Sequence, residues 1–153
     1  GHLAISKVAA KKLKLKKIFW AITKKNPFKK KSNLDLSARI NLCKKITKKI
    51  KFIEVKCFEN KVRSNKTINL INFFTRNIKN EIFFIMGADN LINFHKWHKW
   101  KTISKKCTLI VFDRQGYKKK SLNSKTYKTL NKEKLKFINF NKVNISSSQL
   151  RKI

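Results

Sequence analysis

Ile82-Phe83-Phe84-Ile85-Met86-Gly87 is a continuously apolar run that stops at a glycine, and Cys107–Phe112 is a second run of the same kind. Apolar runs of this length without polar alternation are typical of strands buried on both faces of a parallel sheet. Ile18–Ile22, Phe52–Val55 and Leu135–Phe140 predict further strands. The sequence therefore predicts a sheet of parallel strands.

Segments with helical spacing of apolar residues separate these strands. They are Leu3–Leu13, Leu36–Ile50 behind the potential caps Asn33 and Asp35, and Ile68–Ile78. Strands that alternate with helices belong to a parallel sheet covered on both faces, so we expect an open α/β fold. Residues 114–134 are polar, and they predict a long excursion between the last two strands.

Length and composition limit the class of protein to which this chain can belong. A chain of 153 residues with 41% apolar residues favours one domain, residues 1–153, with a real core. The apolar runs are far shorter than the roughly 20 residues of a membrane-spanning helix, so we expect no membrane partner. Cys43, Cys57 and Cys107 form no C-x-x-C pair, which indicates buried free thiols in a reducing cytoplasm.

The charge of the chain is extreme. Forty Lys and Arg against 7 Asp and Glu give a net charge of +33, which ordinarily suggests a nucleic acid or an anionic membrane. The lysines are spread along the whole chain, and Lys, Asn, Ile and Phe dominate together, as in genomes rich in A and T. We therefore expect solvated surface charge without a dedicated nucleic-acid partner.

Polar and basic residues follow the ends of the predicted strands. They are Thr23–Lys29, Gly87-Ala88-Asp89, Arg114 and Ser146-Ser147-Ser148-x-x-Arg151. Open α/β sheets bind ligands beyond the carboxyl ends of their strands. Lysine, arginine, hydroxyl groups and a helix N-terminus at one edge predict a phosphate-binding site.

Each of these motifs also has a purely structural interpretation. Ser146–Ser148 with Arg151 predicts an anion site, or a plain helix cap with a surface arginine. Gly87–Asp89 suits close approach of a ligand with the carboxylate on ribose hydroxyls, or a strand-to-helix turn capped by Asp89. Gly1-His2 predicts an imidazole that faces a phosphate at a helix start, or an ordinary junction between a loop and a helix.

Phe94-His95-Lys96-Trp97-His98-Lys99-Trp100 is a basic and aromatic run. One ring could stack on a planar base, the run could grip single-stranded nucleic acid, or two of the rings could belong to the core. His95 and His98 have no further ligand at metal-binding spacing, so we expect no metal site there. A Walker loop, a G-x-G-x-x-G motif and a Ser-His-Asp order are also missing.

In order, these motifs resemble the bacterial nicotinate-nucleotide adenylyltransferases, which carry H-x-G-H and S-S-T-x-x-R signatures. The matching segments are Gly1-His2, Asn26–Lys29, Leu36–Arg39, Lys66–Asn69, Phe84–Leu91, Phe94 with Trp97 and Trp100–Ile103, Arg114–Tyr117 and Ile145–Arg151. The resemblance implies a Rossmann-like nucleotidyltransferase fold. It also implies that AMP is transferred from ATP to nicotinate mononucleotide, with Mg²⁺ bound through ATP.

The resemblance implies a role for each matched residue. His2 and Arg151 would be the catalytic residues. The ATP-binding set would be His2, Asp89, Ser147, Ser148 and Arg151, with Asp89 near the ribose. The set for nicotinate mononucleotide would be Lys29, Thr67, Trp97 and His98, with the pyridine ring on Trp97 and the carboxylate at Thr67 and the backbone beside His98.

The 153 residues lack the family's first strand with its G-x-F-D-P-x-H loop, and the helix that follows the signature arginine. We expect both outside this sequence, because loss of a central strand would expose unpaired backbone and apolar faces. The chain would then be incomplete at both ends. Two alternatives remain open, a basic nucleic-acid-binding module and an inactive remnant of the enzyme.

Overall fold

The computed structural model describes residues 1–24, 35–113 and 116–140, and each of the predicted strands has a counterpart within them. The described residues divide into two units, one within residues 1–65 and one within residues 66–140. Each strand pairs within its own unit. The single domain over residues 1–153 stays a prediction.

The first unit contains two parallel strands and three helices. They are α1 (His2–Leu13), β1 (Ile18–Ala21), α2 (Leu36–Thr47), β2 (Ile53–Lys56) and α3 (Glu59–Val62). The register of β1 on β2 runs from Ile18 opposite Ile53 to Ala21 opposite Lys56. Asp35 caps α2 as predicted, since its carboxylate accepts the Ala38 N–H at 2.7 Å.

Glu54 on β2 is the acidic partner of two lysines that flank this strand pair. Its carboxylate lies 2.7 Å from Lys17 Nζ and 2.7 Å from Lys56 Nζ. Hydrogen bonds from Lys17 and then Lys56 lower the pKa of Glu54 to about 2. Two of the forty cations of the chain are thus paired in a specific geometry.

The second unit is a three-stranded parallel sheet with helices. Its elements are α4 (Thr67–Asn77), β3 (Phe83–Gly87), α5 (Ala88–Asn93), a 3-10 turn (Phe94–Lys96), α6 (Trp100–Lys106), β4 (Thr108–Phe112), α7 (Lys118–Leu122), α8 (Lys125–Thr129), a second 3-10 turn (Lys132–Lys134) and β5 (Leu135–Ile138). The strand order is β3-β4-β5, so β4 lies at the centre.

Strand β4 is the most deeply buried element. Thr108 is 4% exposed, and the four residues Leu109–Phe112 have no exposed surface. A strand with no polar face must be covered on both sides, which explains why the sequence shows an unbroken apolar run here. The α/β class with parallel strands is therefore confirmed.

The long polar excursion predicted for residues 114–134 is wrong for its described part. This part contains α7, α8 and the second 3-10 turn. Its hydroxyl residues satisfy their polar atoms locally: Ser124 caps α8, and Ser121 Oγ donates to the Lys118 carbonyl at 2.6 Å. Ser121 and Thr126 have no exposed surface, although their composition suggested a solvated loop.

The three cysteines are free, but only Cys107 is buried. Burial raises the pKa of Cys107 to about 12, and its thiol donates to the Ile103 carbonyl at 3.2 Å. Cys43 and Cys57 are half-buried, because the helix and the turn that carry them lie partly open to solvent. The prediction that all three thiols are buried is therefore wrong for these two.

The burial of α6 against the sheet is tested by truncating Ile103, which has no exposed surface. Ile103→Ala should lower the free energy of unfolding by about 2–5 kcal/mol, because it removes buried methylene groups and leaves a cavity. Ile46→Ala is the control, since Ile46 is 42% exposed and should cost less than about 1 kcal/mol. Urea unfolding measures both, and equal losses would contradict the described core.

Candidate functional site

The carboxyl end of β3 leads directly into a helix. Gly87 is the last residue of β3 and the N-cap of α5, and Ala88, which follows it, has no exposed surface. Asp89 therefore lies in the first turn of α5 and is not its N-cap. A carboxylate in this position is favoured by the partial positive charge of the helix start. Asp89 is thus a half-buried carboxylate at the carboxyl end of β3, which is the edge where α/β folds bind ligands.

The basic and aromatic run Phe94–Trp100 folds as two tight turns. The Trp97 N–H donates to the Phe94 carbonyl at 3.0 Å, and the Trp100 N–H donates to the Trp97 carbonyl at 3.2 Å. Lys99 adopts the left-handed conformation with φ of 51°, which is uncommon for a residue other than glycine. Backbone strain of this kind often occurs at binding loops.

Trp97 is held by two phenylalanine rings. Its ring lies 5.9 Å from the ring of Phe84 at 89°, and 5.0 Å from the ring of Phe94 at 60°. Trp100 contacts Phe94 edge to face at 6.2 Å. Both tryptophans are half-buried and pack against the core cluster of the unit, and Phe94 belongs to that cluster. Trp97 retains some solvent exposure.

Thr67 is the first residue of α4 and is half-buried. Ile68, which follows it, belongs to the same core cluster that contains Ala88 and Phe94 and against which Trp97 packs. The second unit thus builds the segments that carry Thr67, Asp89 and Trp97 around one core. His98 follows Trp97 and is exposed.

A buried threonine contacts the turn before Trp97, and no local sequence pattern indicates this contact. Thr126 Oγ1 accepts the His95 N–H at 3.1 Å and lies 3.5 Å from His95 Nδ1. The same ring nitrogen lies 3.1 Å from the Ile92 carbonyl. The two residues are 31 positions apart, so only the folded chain reveals the contact.

Asp113 is a second residue that sequence reasoning missed. It directly follows β4 at the carboxyl edge, and its backbone N–H donates to the Ile138 carbonyl at 3.3 Å. Its Oδ1 atom is buried and accepts no hydrogen bond from the part of the chain that the structure describes. Its position after a buried strand was the available sequence signal.

In the first unit, His2 begins α1 and is exposed. Ser6 Oγ donates to the His2 carbonyl at 2.8 Å and accepts the Trp20 indole N–H at 2.9 Å. The rings of His2 and Trp20 lie 6.2 Å apart at 67°. The first turn of α1 is therefore tied to β1 through a buried hydroxyl.

Several predicted site residues lie outside the described residues. They are Lys29 with the loop Asn26–Lys29, Arg114, and the final set Ser147, Ser148 and Arg151. Within residues 1–24, 35–113 and 116–140, no group of three or more His, Cys, Asp and Glu side chains forms a metal site. In the same ranges no helix has the length and hydropathy to span a bilayer.

A family model described as cytidylyltransferase-like matches residues 1–153. The chain therefore belongs to the cytidylyltransferase-like family.

The curated relatives that it matches carry one particular name. The chain is 67% identical over 153 residues, which is 100% of this chain and 85% of the relative, to a probable nicotinate-nucleotide adenylyltransferase of Pelagibacter ubique (strain HTCC1062). It is 33% identical over 137 residues, 88% of this chain and 71% of the relative, to a protein of the same name from Bradyrhizobium sp. (strain BTAi1 / ATCC BAA-1182).

Solved structures resemble the fold at lower sequence identity. One is Plasmodium falciparum nicotinic acid mononucleotide adenylyltransferase complexed with NaAD, with a TM-score of 0.67, 19% identity, and coverage of 98% of this chain and 76% of that chain. The same enzyme complexed with APC gives a TM-score of 0.69 and 17% identity, with 99% and 74% covered. At these identities the likeness shows the fold alone.

The link between α1 and β1 is tested by removing the Ser6 hydroxyl. Ser6→Ala should cost about 1–3 kcal/mol of unfolding free energy, because the Trp20 indole N–H then lacks its acceptor. Ser37→Ala is the control, since Ser37 lies exposed on α2 and should change stability by less than about 0.5 kcal/mol. Thermal unfolding at neutral pH measures both. A Ser6→Ala protein as stable as the parent would show that the hydroxyl link is not stabilising.

Proposed function

We propose that this chain is a nicotinate-nucleotide adenylyltransferase, which joins the AMP part of ATP to nicotinate mononucleotide. The observation that carries the proposal is the 67% identity to the Pelagibacter ubique relative over the whole of this chain. The parallel α/β fold and the segments after β3 provide what such a reaction needs, which is a rigid edge that orients two nucleotides.

The chemistry needs no covalent bond to the protein. A phosphate oxygen of nicotinate mononucleotide forms a bond to the α-phosphorus of ATP while the bond to the β-phosphate oxygen breaks. The products are the acid form of NAD and pyrophosphate. Catalysis of such a displacement consists mainly of alignment and of stabilising charge on the phosphoryl oxygens.

We assign the phosphates of ATP to His2, Ser147, Ser148 and Arg151. Hydroxyl groups, an imidazole and a forked guanidinium suit this charge. The Trp20–Ser6 link supports the role of His2, because it holds the first turn of α1 in one place. His2 and Arg151 are accordingly the proposed catalytic residues.

We assign nicotinate mononucleotide to the segments around the core of the second unit. The pyridine ring would stack on Trp97, whose orientation Phe84 and Phe94 fix. The nicotinate carboxylate would accept hydrogen bonds from the Thr67 hydroxyl and the backbone beside His98. Lys29 would neutralise the negative charge of this substrate, and Asp89 would accept hydroxyls of the nucleotide ribose.

Mg²⁺ belongs to the proposal as an ion that ATP brings to the site. Mg²⁺ prefers oxygen ligands and commonly binds through substrate phosphates, water and one or two carboxylates. The ion would bind through the phosphates of ATP, and no side chain of this chain is assigned to it. When bound, the ion would neutralise charge on the phosphates.

The alternative of a nucleic-acid-binding module is less well supported. A single-stranded nucleic acid stacks successive bases on several open rings, whereas a pyridine ring needs only one. Trp97 and Trp100 both pack against the core, and Phe94 has no exposed surface. We also propose a cytoplasmic location, which the three free cysteines support.

The proposal predicts that the enzyme strongly prefers the acid form of the pyridine substrate over the amide form. The full-length protein should release pyrophosphate from ATP with nicotinate mononucleotide, and far more slowly with the nicotinamide form. A set of hydrogen-bond donors that pairs with a carboxylate discriminates against an uncharged amide. A coupled pyrophosphate assay with both substrates measures this. Equal turnover would contradict the assignment of the acid.

Arg151 is predicted to act on the transferred phosphates. Arg151→Ala should lower kcat by more than about tenfold, because one charge-assisted contact contributes roughly 1.5–3 kcal/mol. Arg76→Ala is the matched control, since Arg76 lies exposed in the last turn of α4. Steady-state kinetics of both variants in the full-length protein decide the matter, and an unchanged kcat for Arg151→Ala would remove this residue from the site.

A further inference from the structure

Thr126 is a polar side chain without any exposed surface, and it lies in a five-residue helix of the second unit. A buried hydroxyl is costly unless it is hydrogen-bonded. Its oxygen accepts the His95 N–H at 3.1 Å and lies 3.5 Å from His95 Nδ1. The hydroxyl therefore connects α8 to the turn that precedes Trp97.

The backbone of His95 needs such a partner. His95 lies within the 3-10 turn Phe94–Lys96, and the first N–H groups of a helical turn have no acceptor inside it. Thr126 supplies the acceptor from outside. The turn then continues to Trp97, whose N–H donates to the Phe94 carbonyl at 3.0 Å. Trp97 thus lies two residues after the anchored His95 N–H.

Helix α8 is itself firmly placed, so it is a suitable anchor. Ser124 Oγ accepts the Tyr127 N–H at 3.2 Å and caps the helix. The Tyr127 ring lies 6.0 Å from the ring of Phe137 on β5. Leu130, directly after the helix, is buried in the same core as Leu109 of β4. A chain of contacts therefore leads from the sheet through α8 to the turn.

We propose that Thr126 is a positioning residue that sets the orientation of Trp97 and of the backbone at His98 for nicotinate mononucleotide. The inference rests on the function proposed above, and it assigns specificity to a residue that does not touch substrate. Thr126 acts through the His95 N–H. Loss of its hydroxyl should loosen the pyridine-binding turn and leave the binding of ATP nearly unchanged.

The test uses variants of the full-length protein, and its central pair, Thr126→Ser and Thr126→Ala, differs by one oxygen atom. Thr126→Ser retains the acceptor and Thr126→Ala removes it, while Thr126→Val replaces the hydroxyl by a methyl group at nearly constant volume. Thr129→Val is the matched control on the same helix, since Thr129 is exposed and its hydroxyl donates only to the Lys125 carbonyl. Circular dichroism checks folding, and steady-state kinetics give KM for each substrate separately.

We expect KM for nicotinate mononucleotide to rise at least about fivefold in Thr126→Ala relative to Thr126→Ser, because one hydrogen bond to a neutral group is lost. KM for ATP should stay within about twofold in all variants, and Thr129→Val should match the parent. Thr126→Val should follow Thr126→Ala; if it does not fold, the serine and alanine pair decides alone. A merely structural role would lower stability and the active fraction without separating the two KM values.

Equal KM values for nicotinate mononucleotide in the serine and alanine variants would overturn the inference, as would a parallel rise of both KM values. A parent protein that releases no pyrophosphate with this substrate would overturn the proposed function itself. The two failures are distinct, because the first requires an active parent enzyme.

Discussion

The burial of β4 on both faces is the constraint on which the second unit depends. Leu109–Phe112 have no exposed surface, so helices must cover the sheet on each side and leave only its edges for ligands. The parallel register with β3 and β5 brings the carboxyl ends of the three strands to one edge. Because the apolar strands exclude water from the faces of the sheet, the polar side chains that bind ligands lie at its edge.

At this edge, Asp89 and Trp97 are held by the core beneath them. Ala88 is buried and places Asp89 in the first turn of α5, and Phe94 is buried and supports Trp97. Thr126 ties the turn to α8. A site that stacks a planar ligand needs such support. A protein ring that moves freely is seldom in the stacking orientation, and ordering it on binding costs conformational entropy.

The sequence predicted the elements that depend on local pattern. The strands were recognisable as apolar runs, and α1, α2 and α4 as helical spacing, with end residues correct to within about three positions. The resemblance placed Asp89 and Trp97 on segments that the structure builds around one core. Sequence reasoning failed for α7 and α8, because their serines bond to backbone groups of their own turns, and a polar composition alone does not distinguish this from a loop. The contacts of Thr126 with His95 and of Ser6 with Trp20 join distant positions, so no local pattern predicts them.

The most direct test of the account is a crystal structure of the full-length protein with nicotinate mononucleotide bound. In that structure the pyridine ring should lie against the Trp97 indole, and the nicotinate carboxylate should lie within hydrogen-bond distance of the Thr67 hydroxyl. A pyridine ring bound away from the segment Phe94–Trp100 would contradict it.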